Sequence, residues 1–138
     1  MAESVYERIY KESPVKNNVK EISFEQLTEI IKSGENFFLL DVRSPESYAA
    51  GHIKEAISVP VKNINEQCVT EMLHSDSRVV VYCGGYSCQS STEAANKLQA
   101  LGIMNVLDFK GGREEWEKEA GSLRHNCIPE RNECEKNS

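Results

Sequence analysis

The stretch VVVYCGGYSCQSSTEAANKL, residues 79–98, predicts a buried strand that leads through a short loop into a helix. The strand part is β-branched and apolar, which is typical of a strand covered on both faces of a parallel sheet. The loop begins at Cys83 and contains two glycines and a second cysteine, Cys88. In such sheets ligands bind beyond the carboxyl ends of the strands, so Cys83 lies where chemistry is expected.

The segments around this stretch alternate between strand-like and helix-like patterns. Strands are predicted at the start of VKEISFEQLTEIIKSGEN and at FFLLDV, AISVP, RVVVYC and NVLDFKG. Helices are predicted at FEQLTEIIKS, PESYAAG, INEQCVTEMLHS, 90–102 and GGREEWEKEAG. Ser23 with Gln26, and Ser90 with Glu93, have the spacing of capping boxes at two helix starts. This alternation predicts an α/β fold with a mainly parallel central sheet and helices on both faces.

The length of 138 residues predicts one domain. We assign residues 1–19 to a polar N-terminal extension with a single helical turn around VYERIY, 20–121 to the α/β domain, and 122–138 to a polar C-terminal tail. The sequence has neither a signal-peptide pattern nor an apolar run of bilayer length, so we expect a cytoplasmic protein without a membrane partner. The net charge of −6 and the lack of a basic cluster argue against a nucleic-acid partner.

The five cysteines match neither a disulfide scaffold nor a zinc site. Their number is odd, no secretion signal is evident, and a chain of this length can bury a core without crosslinks. The sequence has no Cys-x-x-Cys pair and its three histidines are scattered, so we expect no metal and no cofactor. Free thiol chemistry, or a role as small apolar residues, remains for these cysteines. They are Cys68, Cys83, Cys88, Cys127 and Cys134.

The surroundings of Cys83 favour its thiolate form. Gly84 and Gly85 permit positive φ and leave backbone N–H groups uncovered, so several amides can surround one sulfur. The following helix directs the positive end of its dipole toward the same place. Such settings lower a cysteine pKa from ~8.5 to roughly 3.5–7.5, which makes the sulfur a nucleophile. The alternative is that Cys83 is a small buried residue at a strand end and that the glycines serve only as a turn.

Three segments in this order resemble the rhodanese-like sulfurtransferase domain, and the resemblance covers about residues 20–121. LLDVRSPESYAAGHIKEAISVP (39–60) is similar to the first signature of that family. VVVYCGGYSCQSS is similar to its active-site strand and loop, and FKGGREEWEKEAG (109–121) to its closing Gly-Gly-x-x-x-Trp signature.

The resemblance implies a sulfurtransferase that carries sulfane sulfur as a persulfide on Cys83 and passes it to a thiol or cyanide acceptor. It implies that the backbone amides of the loop surround this sulfur, and that the partners are a small-molecule or protein sulfur donor and a thiol acceptor. A persulfide anion needs the same ring of donors as a thiolate. The substrate-binding loop then consists of Gly84, Gly85, Tyr86, Ser87 and Gln89.

The loop differs from the family pattern at three positions. Many single-domain members carry arginine directly after the cysteine and again five residues on, where this chain has Gly84 and Cys88. Tyr86 stands where the family has glycine. Without these cations a dianionic donor such as thiosulfate is disfavoured, and polysulfide or a persulfide is the better candidate. Gln89 stands where a cysteine phosphatase needs arginine to grip phosphate, so phosphatase activity is not predicted.

Other charged and aromatic residues have structural interpretations. We expect Asp41 to orient the loops at the edge of the sheet and Arg43 to pair with an acidic neighbour such as Glu46. The imidazole of His52, in a Gly-His-Ile turn, is expected to bond to backbone rather than act as a base. Trp116 is expected to anchor the last helix by packing.

Two functions stay open for the cysteine pair. In the first, Cys83 carries sulfur and Cys88 is either a resolving thiol or a packing residue in place of the arginine. In the alternative, the protein is a non-catalytic binding or redox-sensing module that uses a reversible Cys83–Cys88 disulfide. Cys68 is assigned to the core, while Cys127 and Cys134 are either inert exposed thiols or redox-active.

Overall fold

A six-stranded sheet lies at the centre of the computed structural model, which describes residues 4–16, 18–74 and 76–122. Its order is β1-β2-β6-β5-β3-β4, and only β1 and β2 pair antiparallel within this sheet. Strand β5 is therefore central, with β6 and β3 on either side. The strands are β1 (Val15–Lys16), β2 (Val19–Ile22), β3 (Phe38–Asp41), β4 (Ile57–Ser58), β5 (Arg78–Tyr82) and β6 (Asn105–Phe109).

Helices cover both faces of this sheet, as the sequence pattern predicts. They are α1 (Val5–Glu12), α2 (Phe24–Ser33), α3 (Pro45–Ala50), α4 (Glu66–Met72), α5 (Ser90–Ala100) and α6 (Gly112–Ser122), with a 3-10 turn at Val61–Asn63. Successive residues of β5, and Cys83 directly after it, alternate between two core clusters: Val79, Val81 and Cys83 join one, while Val80 and Tyr82 join the other. Among the helices in the described ranges, none is long and apolar enough to cross a bilayer. The predicted α/β architecture is confirmed.

Helix α1 is longer than the single turn predicted for this segment. Ser4 caps it, and helical spacing places Tyr6 and Ile9 on the face that contacts the core, where they are 1% and 0% exposed. The Tyr6 hydroxyl donates to the Asn105 carbonyl at 2.6 Å and accepts from the Val79 amide at 3.2 Å. The first helix therefore covers the amino ends of β5 and β6. The domain limit that we assigned at residue 20 stays a prediction.

The helix ends follow the sequence in one case and depart from it in another. The capping box of Ser23 and Gln26 is confirmed, and Gly34 ends α2 in the left-handed conformation at φ 77°. The box predicted for Ser90 and Glu93 is wrong, because α5 already begins at Ser90. The residue at the cap is Gln89, which makes no side-chain cap hydrogen bond. The first amides of α5 are consequently not satisfied by a capping side chain.

Candidate active site

Cys83 follows β5 directly and lies at the carboxyl edge of the parallel strands, as predicted. Its side chain is 1% exposed and belongs to the core cluster on the α5 side of the sheet. The loop from Cys83 to Gln89 connects β5 to α5, so it contains every residue predicted for substrate binding. Ser87 and Gln89 are exposed in this loop, while Gly85 is buried.

The start of α6 holds the cysteine loop by its backbone. The amide of Arg113 donates to the Cys83 carbonyl at 2.8 Å, and the amide of Glu114 donates to the Gly84 carbonyl at 2.8 Å. Gly112 has φ +61°, and a Cβ atom built on it would lie 2.9 Å from the carbonyl carbon of Cys83. Only glycine fits both this conformation and this approach. Gly112, the first residue of α6, therefore lets two amides of the first helical turn reach the loop.

Cys83 and Cys88 form a disulfide across the loop, and their Cα atoms are 6.6 Å apart. The amide of Cys88 donates to the Gly85 carbonyl at 3.0 Å, which closes a turn within the loop. The Cys88 side chain is partly buried and also packs against the core cluster of Cys83. One location thus gives Cys88 both a packing contact and a bond to Cys83. The structure thus brings together Cys83 and Cys88, the two cysteines of the loop.

Asp108, in β6, and Lys110, directly after that strand, support the loop, and neither was predicted from the sequence. The Lys110 ammonium donates to the Cys88 carbonyl at 2.7 Å and to the Thr92 hydroxyl at 3.0 Å. Thr92 in turn donates to the carboxylate of Asp108 at 3.1 Å. Asp108 is 0% exposed, and burial raises the pKa of its carboxyl against the opposing effects of Ser91, Lys110 and Thr92. The sequence signal that could have identified Asp108 is its place as the one charged residue in the otherwise apolar end of the run NVLDF.

The rim of the loop carries carboxylates. The Tyr86 hydroxyl donates to Glu115 at 3.0 Å, although its side chain is 61% exposed. Partial desolvation, together with this carboxylate, raises the Tyr86 pKa. Glu114 packs on Gly85, where an added Cβ would lie 3.3 Å from the Cβ of Glu114. At Gly84, by contrast, an added Cβ would meet no atom within 4 Å.

Asp41 and Arg43 form an ion pair with each other, in which Asp41 is buried and Arg43 is partly buried. Arg43 donates to Asp41 from Nη2 at 2.7 Å and from Nε at 3.0 Å, and it also donates to the Gly51 carbonyl at 2.7 Å. The prediction that Arg43 pairs with an acidic neighbour is confirmed, but this neighbour is Asp41 and not Glu46, because the buried carboxylate of Asp41 accepts from both Nε and Nη2 of Arg43. The hydrogen bond from Arg43 to Asp41, more than the negative charge of Asp41, raises the Arg43 pKa. Asp41 also accepts from the Tyr82 hydroxyl at 2.8 Å, which joins the ends of β3 and β5.

The remaining predicted residues have structural contacts. His52 Nδ1 lies 2.9 Å from the Tyr48 carbonyl, which confirms a bond to backbone. Trp116 is 5% exposed and packs edge-on against Phe24 with a centroid distance of 5.3 Å. Cys68 is partly buried and packs against the core. Within residues 4–16, 18–74 and 76–122 no group of three metal-ligating side chains comes together. Cys127 and Cys134 lie outside the described residues.

Fold and site together define the class of protein: an α/β domain with a cysteine loop between its central strand and the following helix. The family model for the Rhodanese-like domain matches residues 23–119, and the chain belongs to this family.

Several relatives share most of their length with this chain. The putative sulfurtransferase YtwF of Bacillus subtilis is 34% identical over 101 residues, which cover 73% of this chain and 93% of the relative. The thiosulfate sulfurtransferase GlpE of Pseudomonas entomophila is 34% identical over 97 residues, or 70% and 84% of the two chains. The solved structure of the BH2092 protein from Bacillus halodurans is 38% identical, with a TM-score of 0.66 and 72% of each chain covered. Other curated relatives are longer, and this chain spans 25% to 52% of their length.

Proposed function

We propose that the protein is a sulfurtransferase that carries sulfane sulfur as a persulfide on Cys83 and passes it to a thiol or cyanide acceptor. The position of Cys83 carries this proposal, because the cysteine follows the central strand in a loop that α6 anchors. Both anchoring bonds are accepted by loop carbonyls, so they consume none of the N–H groups of the loop. Relatives named as sulfurtransferases support the same activity.

The reaction starts from the reduced cysteine. The Cys83 thiolate attacks the sulfane sulfur of the donor, the donor leaves as its own anion, and Cys83 becomes a persulfide. The acceptor thiolate or cyanide then attacks the outer sulfur and regenerates the Cys83 thiolate. Loop amides and the uncapped start of α5 stabilise the negative charge on sulfur in each state.

We propose a donor of low charge, such as polysulfide or a persulfide, rather than thiosulfate. Gly84 and Cys88 bring no cation to the loop. The carboxylates of Glu114 and Glu115 contact the loop at Gly85 and Tyr86, so a dianion would be repelled at the rim. The Lys110 ammonium is engaged with the Cys88 carbonyl and Thr92.

Intact mass and thiocyanate formation test the proposed activity. Reduced protein exposed to polysulfide should gain the mass of one sulfur atom on Cys83 and should then convert cyanide to thiocyanate. Cys83→Ser should lose both, while Cys68→Ser should retain both because Cys68 lies on α4, outside the loop. A Cys83→Ser protein that is folded and still transfers sulfur at the wild-type rate would move the chemistry to another cysteine.

The disulfide favours a second candidate function, a redox-sensing or binding module without sulfur transfer. In that case the reduced protein would take up no sulfur from any donor, and a partner would distinguish its reduced and oxidised forms. Sulfur on Cys83 after exposure to polysulfide therefore separates the two functions.

A further inference from the structure

We propose that the protein also reduces sulfane sulfur to sulfide, with Cys88 as the resolving thiol and a low-molecular-weight hydropersulfide as substrate. This inference rests on the proposed function, because it begins from the Cys83 persulfide. It adds a second product, hydrosulfide, and a second route for the persulfide besides transfer to an acceptor.

The disulfide shows that the two cysteine sulfurs meet within the native loop. The Cα separation of 6.6 Å falls inside the usual range of about 4.4–6.8 Å for disulfides, so no further movement of the strand end is needed. Cys88 is also held in place, since Lys110 donates to its carbonyl and its own amide donates to Gly85. A thiol fixed next to Cys83 Sγ is placed to attack that atom when it bears a second sulfur.

The step balances without an external oxidant. The Cys88 thiolate attacks the inner sulfur, Cys83 Sγ, so an Sγ–Sγ bond forms and the bond between Cys83 Sγ and the outer sulfur breaks. The outer sulfur leaves with the electron pair of that bond and takes the proton that the Cys88 thiol released, which gives HS⁻. The sulfane sulfur is reduced, and the two cysteine sulfurs share the oxidation as a disulfide.

The exposure of the two cysteines sets the direction of the return step. Cys83 is 1% exposed, whereas Cys88 is only partly buried. An external dithiol therefore attacks Cys88 Sγ and releases Cys83 as the thiolate, the leaving group that the loop and the start of α5 stabilise. The second thiol of the reductant then attacks the reductant sulfur that is bonded to Cys88. This step leaves a cyclic disulfide of the reductant and a free Cys88 thiol. The dithiol supplies the two electrons of the cycle.

A single-turnover experiment under anaerobic conditions tests this inference with the full-length protein. Reduced wild-type, Cys88→Ser and Cys68→Ser proteins are mixed with cysteine hydropersulfide without reductant. Released sulfide is counted against a Cys83→Ser blank, and the products are alkylated and mapped as peptides. Wild type and Cys68→Ser should release one sulfide per protein and contain a Cys83–Cys88 crosslink. Cys88→Ser should keep its persulfide on Cys83 and release no sulfide above the blank.

Each contrary result has a separate meaning. A wild-type protein with a stable Cys83 persulfide and a free Cys88 thiol would overturn the inference and leave the sulfurtransferase proposal standing. Equal sulfide release from Cys88→Ser, or a crosslink without sulfide, would also overturn it. If no variant gains sulfur on Cys83, the proposed function fails as well. Brief treatment of the oxidised protein with a monothiol should place the mixed disulfide on Cys88, and its location on Cys83 would contradict the return step.

Discussion

The phenol of Tyr82 donates a 2.8 Å hydrogen bond to the buried carboxylate of Asp41, and the residue after Tyr82 is Cys83. The same hydroxyl accepts from the Ile53 amide at 3.1 Å. The cysteine loop thus begins at a strand end that is fixed to β3 and to the turn before β4.

We predict that Tyr82→Phe lowers the free energy of unfolding by about 1–3 kcal/mol, because the Ile53 amide and one Asp41 oxygen each lose a buried partner. Tyr86→Phe also removes a tyrosine hydroxyl, but from an exposed site, and should change the free energy of unfolding by less than about 0.5 kcal/mol. Urea denaturation of both variants measures the difference. Equal changes in the free energy of unfolding would show that the buried contacts of Tyr82 with Asp41 and Ile53 stabilise the protein no more than an exposed hydroxyl does.

We predict that Gly112→Ala destabilises the protein by about 1–3 kcal/mol and slows sulfur transfer. Its left-handed backbone disfavours a side chain, and the added Cβ would displace the loop at Cys83. Gly84→Ala is the matched control for stability, since its Cβ meets open space. Denaturation gives the first quantity and the rate of thiocyanate formation the second. Transfer at the wild-type rate in Gly112→Ala would contradict the role of α6 in positioning the loop.

Gly84→Arg should raise the rate with thiosulfate relative to that with polysulfide by roughly fivefold, which corresponds to about 1 kcal/mol of attraction for the dianion at a partly exposed site. Open space at Gly84 accommodates the longer side chain. Gly84→Gln, similar in length and uncharged, separates charge from bulk. The measurement is the ratio of the two rates, and a ratio that Arg and Gln change equally would exclude charge as the cause.

Asp108→Asn should stabilise the protein at neutral pH and leave it unchanged in acid. Burial raises the Asp108 pKa above its unfolded value, so folding favours the protonated carboxyl. That contribution is complete below the unfolded pKa and is lost as the pH rises through the folded pKa, whereas asparagine does not ionise. Asp76→Asn, at an exposed position, is the control. Denaturation midpoints across acid and neutral pH test this, and a difference independent of pH would contradict it.

Local signals in the sequence predicted the elements well, and long-range contacts account for the rest. The β-branched run of β5, the capping box of Ser23 and the closing Gly34 depend on neighbours within a few residues, and all three are confirmed. The sequence predicted an acidic neighbour such as Glu46 for Arg43, whereas the partner is Asp41, which is buried where β3 ends.

In the candidate site, too, local sequence signals were sufficient for some residues and long-range contacts determine the others. The sequence identified Cys83 and Cys88 from the loop itself. It did not identify Lys110, whose contact with the Cys88 carbonyl spans 22 positions of the chain. The burial of Tyr6 was missed for a similar reason, since its partner Asn105 is 99 positions away. Contacts between distant segments arise only when the strands take their order in the sheet.

Because side chains alternate along β5, any shift of register moves Tyr82 and Cys83 at the same time. Tyr82 enters one core cluster and Cys83 the other. A deletion of one residue within this strand would exchange their faces, directing the phenol toward α5 and the thiol toward the Asp41 pair. A point substitution at either position leaves the other in place, whereas we expect an insertion or deletion in β5 to remove both the Tyr82–Asp41 hydrogen bond and the proposed sulfur chemistry of Cys83. We therefore expect β5 to tolerate a change of residue type better than a change of length.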